Sequence, residues 1–237
     1  MMKKTRALVI KHLKYGDSGL ILHLYTRELG MLAFMIKDFY KQKKRNRSLL
    51  FPFAEVEISV EENTRGSLKH PKNLQTSHAF IDLHTQPTKA IVLQLLSEII
   101  YSCLKQDEAN PQLYDFIFSS LNLLDQKNKD FADFHLYFLL KMSQYLGFHP
   151  NTENHDAPLF DLEDGRFCFQ TQSGFTLSEE ESHFFKKLIF MDFNQDSKNI
   201  FNQMQRRSLL NNLLQYYQLH LPDFREPKSL EVIKMLF

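Results

Sequence analysis

Hydrophobic and polar residues alternate with a period of two through much of the first 76 residues. The clearest alternation covers residues 54–61, and shorter ones cover 20–25 and 31–36. A period of two is typical of β-strands, and glycines punctuate the pattern as turn signals. The turns are predicted at Gly16, Gly30 and Gly66. Five short strands in about 75 residues favour a small closed or partly closed β-barrel, because curling hides the sheet edges; such barrels include the oligonucleotide-binding (OB) fold.

Beyond Pro87 the hydrophobic period becomes helical. Ile91, Leu95, Ile99 and Cys103 recur every four residues, which predicts a largely buried helix. The next two helices are predicted from Asn110 followed by Pro111, as cap and first-turn proline, and from Asp130 to Leu146 with a stop at Gly147. Later helices are predicted after Ser178, which has capping-box spacing to Glu181, and around 209–217. The tail from 227 to 237 is expected to pack. Consecutive helices with short connections predict a bundle.

Residues 151–176 interrupt the helical pattern. Phe160 and Leu162 precede an Asp164-Gly165 pair, and Phe167 and Phe169 follow it, which predicts a β-hairpin. The predicted fold class is therefore α+β and multidomain. A five-stranded OB-fold barrel is expected over residues 1–80, and a helical bundle domain with a small inserted hairpin at about 151–176 is expected over 81–237.

The composition is that of a globular protein, with 43% apolar and 24% charged residues in 237. Disorder is therefore not expected. Cys103 and Cys168 are too few for a disulfide framework, which fits a reducing cytosol. No stretch approaches eighteen apolar residues and no secretory signal is visible, so we predict a soluble cytoplasmic protein without a membrane contact.

Charge is distributed unevenly along the chain. Residues 1–47 hold 12 of the 29 Lys and Arg residues against three acids, so this stretch carries about +9 and the remainder about −8. Polyanions bind where cations cluster, so the N-terminal fifth is the predicted nucleic-acid contact surface. The alternative interpretation of the same run is a solvated loop whose charges maintain solubility.

A block of consecutive residues, 16–30 (Gly-Asp-Ser-Gly-Leu-Ile-Leu-His-Leu-Tyr-Thr-Arg-Glu-Leu-Gly), resembles the N-terminal signature of the RecO family of bacterial recombination mediators. Weaker matches follow in the same order at Lys37, Ser48 to Phe53, Leu146-Gly147-Phe148 and Lys228-Ser229-Leu230. The resemblance implies an N-terminal OB barrel and a helical domain with a small inserted element. It further implies binding to single- and double-stranded DNA and annealing of complementary strands. Together with RecR, such a protein assists loading of RecA onto DNA coated by single-strand-binding protein.

The predicted DNA contacts combine cations for phosphates with an aromatic ring for base stacking. They are Lys11, Lys14, Arg27, Lys37, Tyr40, Lys41, Lys43, Lys44, Arg45 and Arg47. Where the family usually has Lys then Gly before this loop, the chain has Lys37 then Asp38, and the carboxylate weakens the local field. Arg27 adjoins Glu28 and could equally form a structural ion pair.

Zinc and enzymatic chemistry are both disfavoured by the residues present. Many family members carry a four-cysteine zinc site in the inserted element, whereas this chain has only Cys168 there, with His149 and His155 nearby. No cofactor is therefore expected. The sequence has no Gly-rich phosphate loop, no His-Glu-x-x-His and no nucleophile elbow, so no enzyme is predicted. The acids Asp161, Glu163 and Asp164 are better explained as turn residues than as nuclease ligands.

Two other functions stay open at the level of sequence. One is a non-enzymatic adaptor of the repair machinery with weak DNA contact, and the other is an RNA-binding OB-fold protein. The resemblance also implies docking of the acidic, Phe-ended tail of single-strand-binding protein on the helical domain. Where the family's third helix often has Arg then Phe, this chain has Tyr137 then Phe138, so Lys141 is the candidate cation for docking.

Overall fold

The structure, a computed structural model, describes residues 2–42, 47–61, 71–104 and 109–237. The strands are β1 (Met2–Tyr15), β2 (Gly19–Thr26), β3 (Gly30–Ile36), β4 (Glu55–Glu61), β5 (Lys72–His78), β6 (Leu159–Asp161) and β7 (Arg166–Cys168). The helices are α1 (Pro87–Leu104), α2 (Pro111–Gln126), α3 (Phe134–Tyr145), α4 (Glu179–Ile189), α5 (Gln203–His220) and α6 (Leu230–Leu236). Two 3₁₀ turns, Phe39–Lys41 and Arg47–Leu50, follow β3.

The first five strands form one antiparallel sheet in the order β3-β2-β1-β4-β5. The long strand β1 pairs with β4 through Met2–Leu8 and with β2 through Ala7–Tyr15. Its register shifts between Val9 and Lys11, where the extra residue of a bulge bends the strand. One strand can thus belong to both halves of a curled sheet. This arrangement is consistent with an OB fold, and the predicted fold class is confirmed.

The inner face of this sheet holds a core of aliphatic and aromatic side chains. Its members are Ala7, Val9, Leu20, Leu22, Leu24, Phe34, Phe39, Leu49, Ala54, Val56, Ile58 and Val60. The period-two prediction is therefore confirmed for 20–24 and 54–60. On the outer face Tyr25 and Glu55 are also buried, because helices cover part of that face. Glu55 accepts hydrogen bonds from the hydroxyls of Tyr114 (3.0 Å) and Ser77 (2.9 Å).

The helix caps follow the sequence closely. The Asn110 side chain accepts a hydrogen bond from the Leu113 amide at 2.9 Å, with Pro111 in the first turn of α2 as predicted. Capping boxes are present at Ser178 with Glu181 and at Asn202 with Gln205. After α3, Gly147 adopts φ 86° and the Phe148 amide reaches the Ser143 carbonyl at 3.0 Å. This left-handed stop is the predicted one.

The predicted start of α3 at Asp130 is wrong by four residues. Asp130 has φ 57°, which a helix cannot contain, and the helix begins at Phe134. The carboxylate of Asp133 accepts hydrogen bonds from the amides of Ile200 (2.6 Å) and Phe201 (3.3 Å) rather than capping its own helix. A partner 67 residues away cannot be seen in a local pattern.

The inserted hairpin turns at the predicted Asp-Gly pair. β6 and β7 pair antiparallel from Leu159 with Cys168 to Asp161 with Arg166, and Gly165 adopts φ 65°. A side chain on Gly165 would meet the Tyr216 hydroxyl, 2.8 Å from where its Cβ would be, so the position requires glycine for space as well as for backbone conformation.

The chain divides into two compact units, Met1–Asn122 and Leu123–Phe237. The first unit contains α1 and most of α2 in addition to the sheet. Compactness does not establish which segments fold alone, so the predicted boundary between residues 80 and 81 stays a prediction. The predicted turn at Gly66 lies outside the described residues. In the C-terminal tail Leu230, Ile233 and Phe237 are buried, while Val232 and Met235 are exposed.

Candidate nucleic-acid interface

The bend in β1 separates a buried half from an exposed half. Residues 7–10 are all buried and residues 11–17 are all exposed. Side chains alternate between the two faces of a strand, so Lys11 and Lys14, three residues apart, lie on opposite faces. Lys11 and Lys14, both predicted DNA contacts, are therefore both exposed but have different neighbours.

Lys11 lies on the outer face, beside the last turn of α1. Its ammonium is 4.2 Å from the centroid of the Tyr101 ring, a cation–π distance. His23, the register partner of Lys11, packs edge-on against the same ring at 5.0 Å. Burial and then the charge of Lys11 lower the pKa of His23, so the neutral imidazole is favoured in this cluster.

Lys14 lies on the inner face, at the end of the barrel closed by the first 3₁₀ turn. Its register partner Leu20 is buried in the core, and its ammonium is 6.0 Å from the Tyr40 ring. Tyr40 packs edge-on against the buried Phe39 at 5.2 Å, and its amide donates to the Ser18 carbonyl at 3.0 Å. Tyr40 is half-buried and supports the end of the core, so only part of its ring can face a ligand.

Lys37, Asp38 and Lys41 are exposed around this turn. Asp38 adopts φ 52°, the left-handed region that favours glycine and that Asp tolerates better than most residues. Its carboxylate accepts a hydrogen bond from the Ser18 hydroxyl at 2.8 Å and pairs with the Lys41 ammonium at 3.4 Å. The Ser18 hydrogen bond, then Lys41 and Lys37, lower the pKa of Asp38. The carboxylate is therefore ionised and partly offsets the two lysines.

Of the remaining cations of the basic loop, the structure describes only Arg47. Lys43, Lys44 and Arg45 lie outside the described residues. Arg47 is exposed at the start of the second 3₁₀ turn, which packs against β1 through its following residues. Ser48 in the same turn is hydrogen-bonded to Thr76 of β5 at 2.9 Å. The second 3₁₀ turn is thus fixed to the sheet.

Arg27 is held in an ion-pair network. Its Nε and Nη2 donate to the two carboxylate oxygens of Asp115, each at 2.8 Å, and its Nη1 donates to Glu28 at 3.2 Å. Asp115 first and Glu28 second raise the pKa of Arg27. A guanidinium fork filled by one carboxylate has little capacity left for a phosphate. The geometry agrees with the ion-pair alternative, and the DNA-contact role of Arg27 stays a prediction.

Sequence reasoning missed other basic and aromatic residues in the first unit. Lys4 pairs with Glu57 at 2.6 Å, and Arg6 lies 5.8 Å from the ring centroids of both Tyr114 and Phe118. Both cations are engaged with the sheet or α2. Tyr15, by contrast, is 52% exposed at the tip of the β1–β2 hairpin. Its position directly before the Gly16-Asp17-Ser18 turn was a usable signal.

In the second unit the docking candidate Lys141 lies on α3 at the edge of an aromatic pair. Its ammonium is 6.0 Å from the Tyr137 ring, and that ring stacks on Phe193 at 5.4 Å. Phe138, the other residue of the compared pair, is fully buried. Lys141 is half-exposed, so it can offer a cation beside an apolar surface, and its docking role stays a prediction.

The inserted element does not have the ligands that a zinc site needs. Cys168 is buried, and burial raises the pKa of its thiol, which disfavours the thiolate. Across the described ranges, no three His, Cys, Asp or Glu side chains are grouped closely enough to share a metal ion. The residues therefore do not fit the four-ligand site that the resemblance implies for other members.

A buried carboxylate occupies the centre of the inserted element instead. Asp161 accepts hydrogen bonds from the hydroxyls of Thr176 (2.5 Å) and Ser173 (2.7 Å) and from the amides of Asp164 (2.9 Å) and Glu163 (3.0 Å). Burial by itself would raise the pKa of Asp161, but these donors together lower it. Asp161 thus acts as a structural turn residue.

None of the helices in the described part of the chain combines the length and apolar character that crossing a membrane requires.

The described residues thus combine two parts. One is a five-stranded OB-type sheet with exposed cations, and the other is a helical unit with a hairpin insertion. Comparisons with known proteins then give the family. The family model described as recombination protein O, N terminal, matches residues 1–80, and the model described as recombination protein O, C terminal, matches residues 84–231. The chain therefore belongs to the RecO family of DNA repair proteins, as the sequence resemblance predicted.

Curated relatives named DNA repair protein RecO are similar over the full length of both chains. The Flavobacterium johnsoniae protein is 32% identical over 240 residues, and the Flavobacterium psychrophilum protein is 33% identical over 240 residues. The Christiangramia forsetii protein is 32% identical over 239 residues. In each case 100% of both chains is covered.

Proposed function

We propose that this protein is a recombination mediator that binds single- and double-stranded DNA without sequence specificity and anneals complementary strands. The observation that carries the proposal is the set of exposed cations on the β1–β2 hairpin and the turns that follow β3. Lys14 is exposed in the β1–β2 hairpin, Lys37 and Lys41 are exposed before and in the first 3₁₀ turn, and Arg47 is exposed at the start of the second. Flexible cations follow phosphates without reading bases, which is what a mediator that acts on any sequence requires.

The local architecture supports a fixed platform for these cations. The β1–β2 turn is tied to the first 3₁₀ turn by the Ser18–Asp38 and Ser18–Tyr40 hydrogen bonds. The second 3₁₀ turn is tied to β5 through Ser48. Cations on anchored turns lose less conformational freedom when they bind than cations on a free chain.

The proposed activity needs no covalent step. A mediator transfers one polymer between binding proteins, and the sequence lacks the phosphate loops and nucleophile motifs of common enzymes. We assign no catalytic residue and no cofactor. The cytoplasm, in association with the nucleoid, is the proposed location.

The proposed partners come from membership of the family. They are RecR, single-strand-binding protein and, indirectly, RecA. Lys141 beside Tyr137 is the proposed cation for the acidic tail of single-strand-binding protein, because an acidic peptide requires a positive charge next to an apolar surface. A Lys141→Glu variant is expected to weaken binding of that tail peptide and to leave binding of naked DNA unchanged.

The decisive experiment is strand annealing with complementary oligonucleotides coated with single-strand-binding protein. A Lys43→Glu, Lys44→Glu, Arg45→Glu variant is expected to lose DNA affinity and annealing together. The matched control reverses three exposed lysines of the second unit, Lys129, Lys187 and Lys198, and so changes the net charge equally. Equal losses in both variants would show a general charge effect, and no loss in the loop variant would refute the proposal.

A competition experiment tests whether the bound polymer is DNA or RNA. Matched DNA and RNA oligonucleotides are offered together, and DNA is expected to be retained at least as well as RNA. Strong preference for RNA would replace the proposal with an RNA-binding function. Annealing that persists in the loop variant would favour an adaptor that touches DNA weakly.

A further inference from the structure

The tip of the β1–β2 hairpin carries exposed apolar side chains. Residues 11–17 are exposed on both faces of the hairpin, and Leu13 and Tyr15 are 42% and 52% exposed. Leu13 and Tyr15 are separated by two, so they share the outer face of the sheet. An aromatic ring and a leucine at the end of a two-stranded ribbon do not contribute to the barrel core.

The register shows how far this surface extends. Leu13 pairs with Ile21, and Ile21 pairs with Met35, so these three side chains form one row across β1, β2 and β3. Ile21 and Met35 are half-buried. We call Leu13, Tyr15, Ile21 and Met35 the outer ledge. The neighbouring row, Lys11 and His23, is covered by Tyr101 of α1, so the outer ledge begins where that cover ends.

The Tyr15 ring lies close to the backbone of β2. Its cross-strand partner is Gly19, and the Cδ1 atom of Tyr15 lies 3.5 Å from where a Cβ of Gly19 would be. The ring therefore lies beside bare backbone, and no side chain of Gly19 separates it from the next strand. Gly19 directly precedes Leu20, whose partner Ile36 directly precedes Lys37. Two strand spacings of about 4.8 Å then place the backbones of Tyr15 and Lys37 about 10 Å apart.

We propose that the outer ledge receives unpaired bases, with Tyr15 stacking on one base while Lys37 holds a neighbouring phosphate. The inference rests on the proposed DNA-binding function and adds a preference for single strands. A duplex covers the faces of its bases by internal stacking, so a Tyr ring has a partner only on an unpaired strand. Lys11 and Lys37, two exposed cations that flank the outer ledge, favour a polyanion over a protein partner as its occupant.

The chain contains no tryptophan, which makes a direct test available. A Tyr15→Trp variant has a single tryptophan at the outer ledge. Its fluorescence is expected to be quenched when a single-stranded oligonucleotide binds and to change little with a duplex of the same length. Phe190→Trp is the matched control, because Phe190 is 57% exposed but lies in the second unit. Its fluorescence is expected to stay constant with either ligand.

Affinity measurements give the second readout. Tyr15→Ser is expected to weaken single-strand binding about 5- to 150-fold, the range for one lost base-stacking contact, and to change duplex binding less than twofold. Its salt dependence is expected to equal that of the parent, since no phosphate contact is removed. Tyr15→Phe keeps the ring and is expected to restore the affinity. Circular dichroism and the melting temperature establish that each variant is folded.

Several outcomes would overturn the inference. They are unchanged single-strand affinity of Tyr15→Ser, an equal loss for duplexes, or an unquenched Tyr15→Trp. If the loop variant Lys43→Glu, Lys44→Glu, Arg45→Glu loses binding while Tyr15→Ser does not, the DNA-binding function stands and the outer ledge does not. If the parent protein binds neither single- nor double-stranded DNA, the proposed DNA-binding function and the outer-ledge inference both fail. If Tyr15→Ser keeps its DNA affinity but loses annealing only when RecR is present, the outer ledge is a protein surface.

Discussion

Asp38 shows how one residue can satisfy the backbone and at the same time weaken the local positive field. Its φ of 52° suits glycine, and Asp is one of the few alternatives that tolerates the conformation. The sequence revealed the unusual acid, but not its hydrogen bond to Ser18, 20 residues earlier. Arg27 is a parallel case, because its partner Asp115 is 88 positions away. Charges can be counted from a sequence, whereas their partners require the fold.

The first prediction at this scale concerns Asp38. Asp38→Asn removes the negative charge beside Lys37 and Lys41 and keeps a side chain that tolerates positive φ, so single-stranded DNA affinity is expected to rise about two- to fivefold. Fluorescence anisotropy at fixed salt measures it. Asp38→Ala removes the same charge but strains the backbone, and it should raise the affinity while lowering Tm. An affinity of Asp38→Asn equal to or below that of the parent would contradict this explanation.

At the scale of elements, local chemistry predicted most of the architecture. Strand alternation identified the core positions of β2 and β4, and caps at Asn110 and Ser178 identified helix starts. The start of α3 was misjudged because Asp133 bonds to amides in a distant segment. The hairpin turn was found from Asp164-Gly165, but the role of Asp161 was not, since its donors come from two separate turns.

The second prediction is that Asp161 stabilises the inserted element. Asp161→Asn presents an NH₂ group to donors and is expected to lower the free energy of unfolding by about 1–3 kcal/mol. Urea unfolding measures it, and Asp164→Asn, at an exposed turn position, should cost less than about 0.5 kcal/mol. Similar costs in both variants would mean that Asp161 has no special role.

The pH dependence of that difference follows from the lowered pKa of Asp161. A carboxylate whose pKa is lower in the folded state contributes stability above its unfolded pKa of about 3.9 and loses it as pH falls through the folded pKa. The difference in the free energy of unfolding between the parent and Asp161→Asn is therefore expected to be largest at pH 7 and to shrink below about pH 4. If this difference in the free energy of unfolding grew on acidification, the stabilising role of the ionised Asp161 carboxylate would be contradicted.

A third prediction concerns metal. Because the inserted element lacks the ligands of a zinc site and has a hydrogen-bonded carboxylate at its centre, treatment with EDTA should leave Tm unchanged. Differential scanning fluorimetry before and after chelation, with total metal measured by mass spectrometry, tests it. A fall of several degrees together with release of stoichiometric zinc would refute it.

At the scale of the whole molecule, a near-neutral chain is divided into parts with opposite charge. Residues 1–47 carry about +9 and the rest about −8, and the basic part coincides with the first three strands and the turns that follow them. This division was visible in the sequence. Which of Lys11 and Lys14 lies on the inner face was visible only with the bulge in β1 and the register of the sheet.

The fourth prediction concerns acid stability of the folded chain. Burial, and then the charge of Arg206, lower the pKa of His135 to about 3, so the folded protein leaves this imidazole neutral. The unfolded chain protonates it below about pH 6.5, and stability is therefore lost as pH falls, by up to about 1.4 kcal/mol per pH unit.

The test compares unfolding free energies between pH 4 and pH 6. His135→Leu is expected to reduce the pH slope by up to about 1.4 kcal/mol per unit, whatever its effect on absolute stability. His183→Leu removes an exposed imidazole and serves as the control. Equal slopes for the parent and His135→Leu would show that this residue does not contribute to the acid sensitivity.

The salt dependence of DNA binding tests the central claim most directly. Anisotropy of a labelled single strand across a salt series should give a slope of log affinity against log salt of about −4 if roughly six cations contact phosphates, at about 0.7 per contact. Lys37→Gln with Arg47→Gln should reduce the magnitude of that slope by about 1.4. A slope near zero in the parent protein would contradict the account.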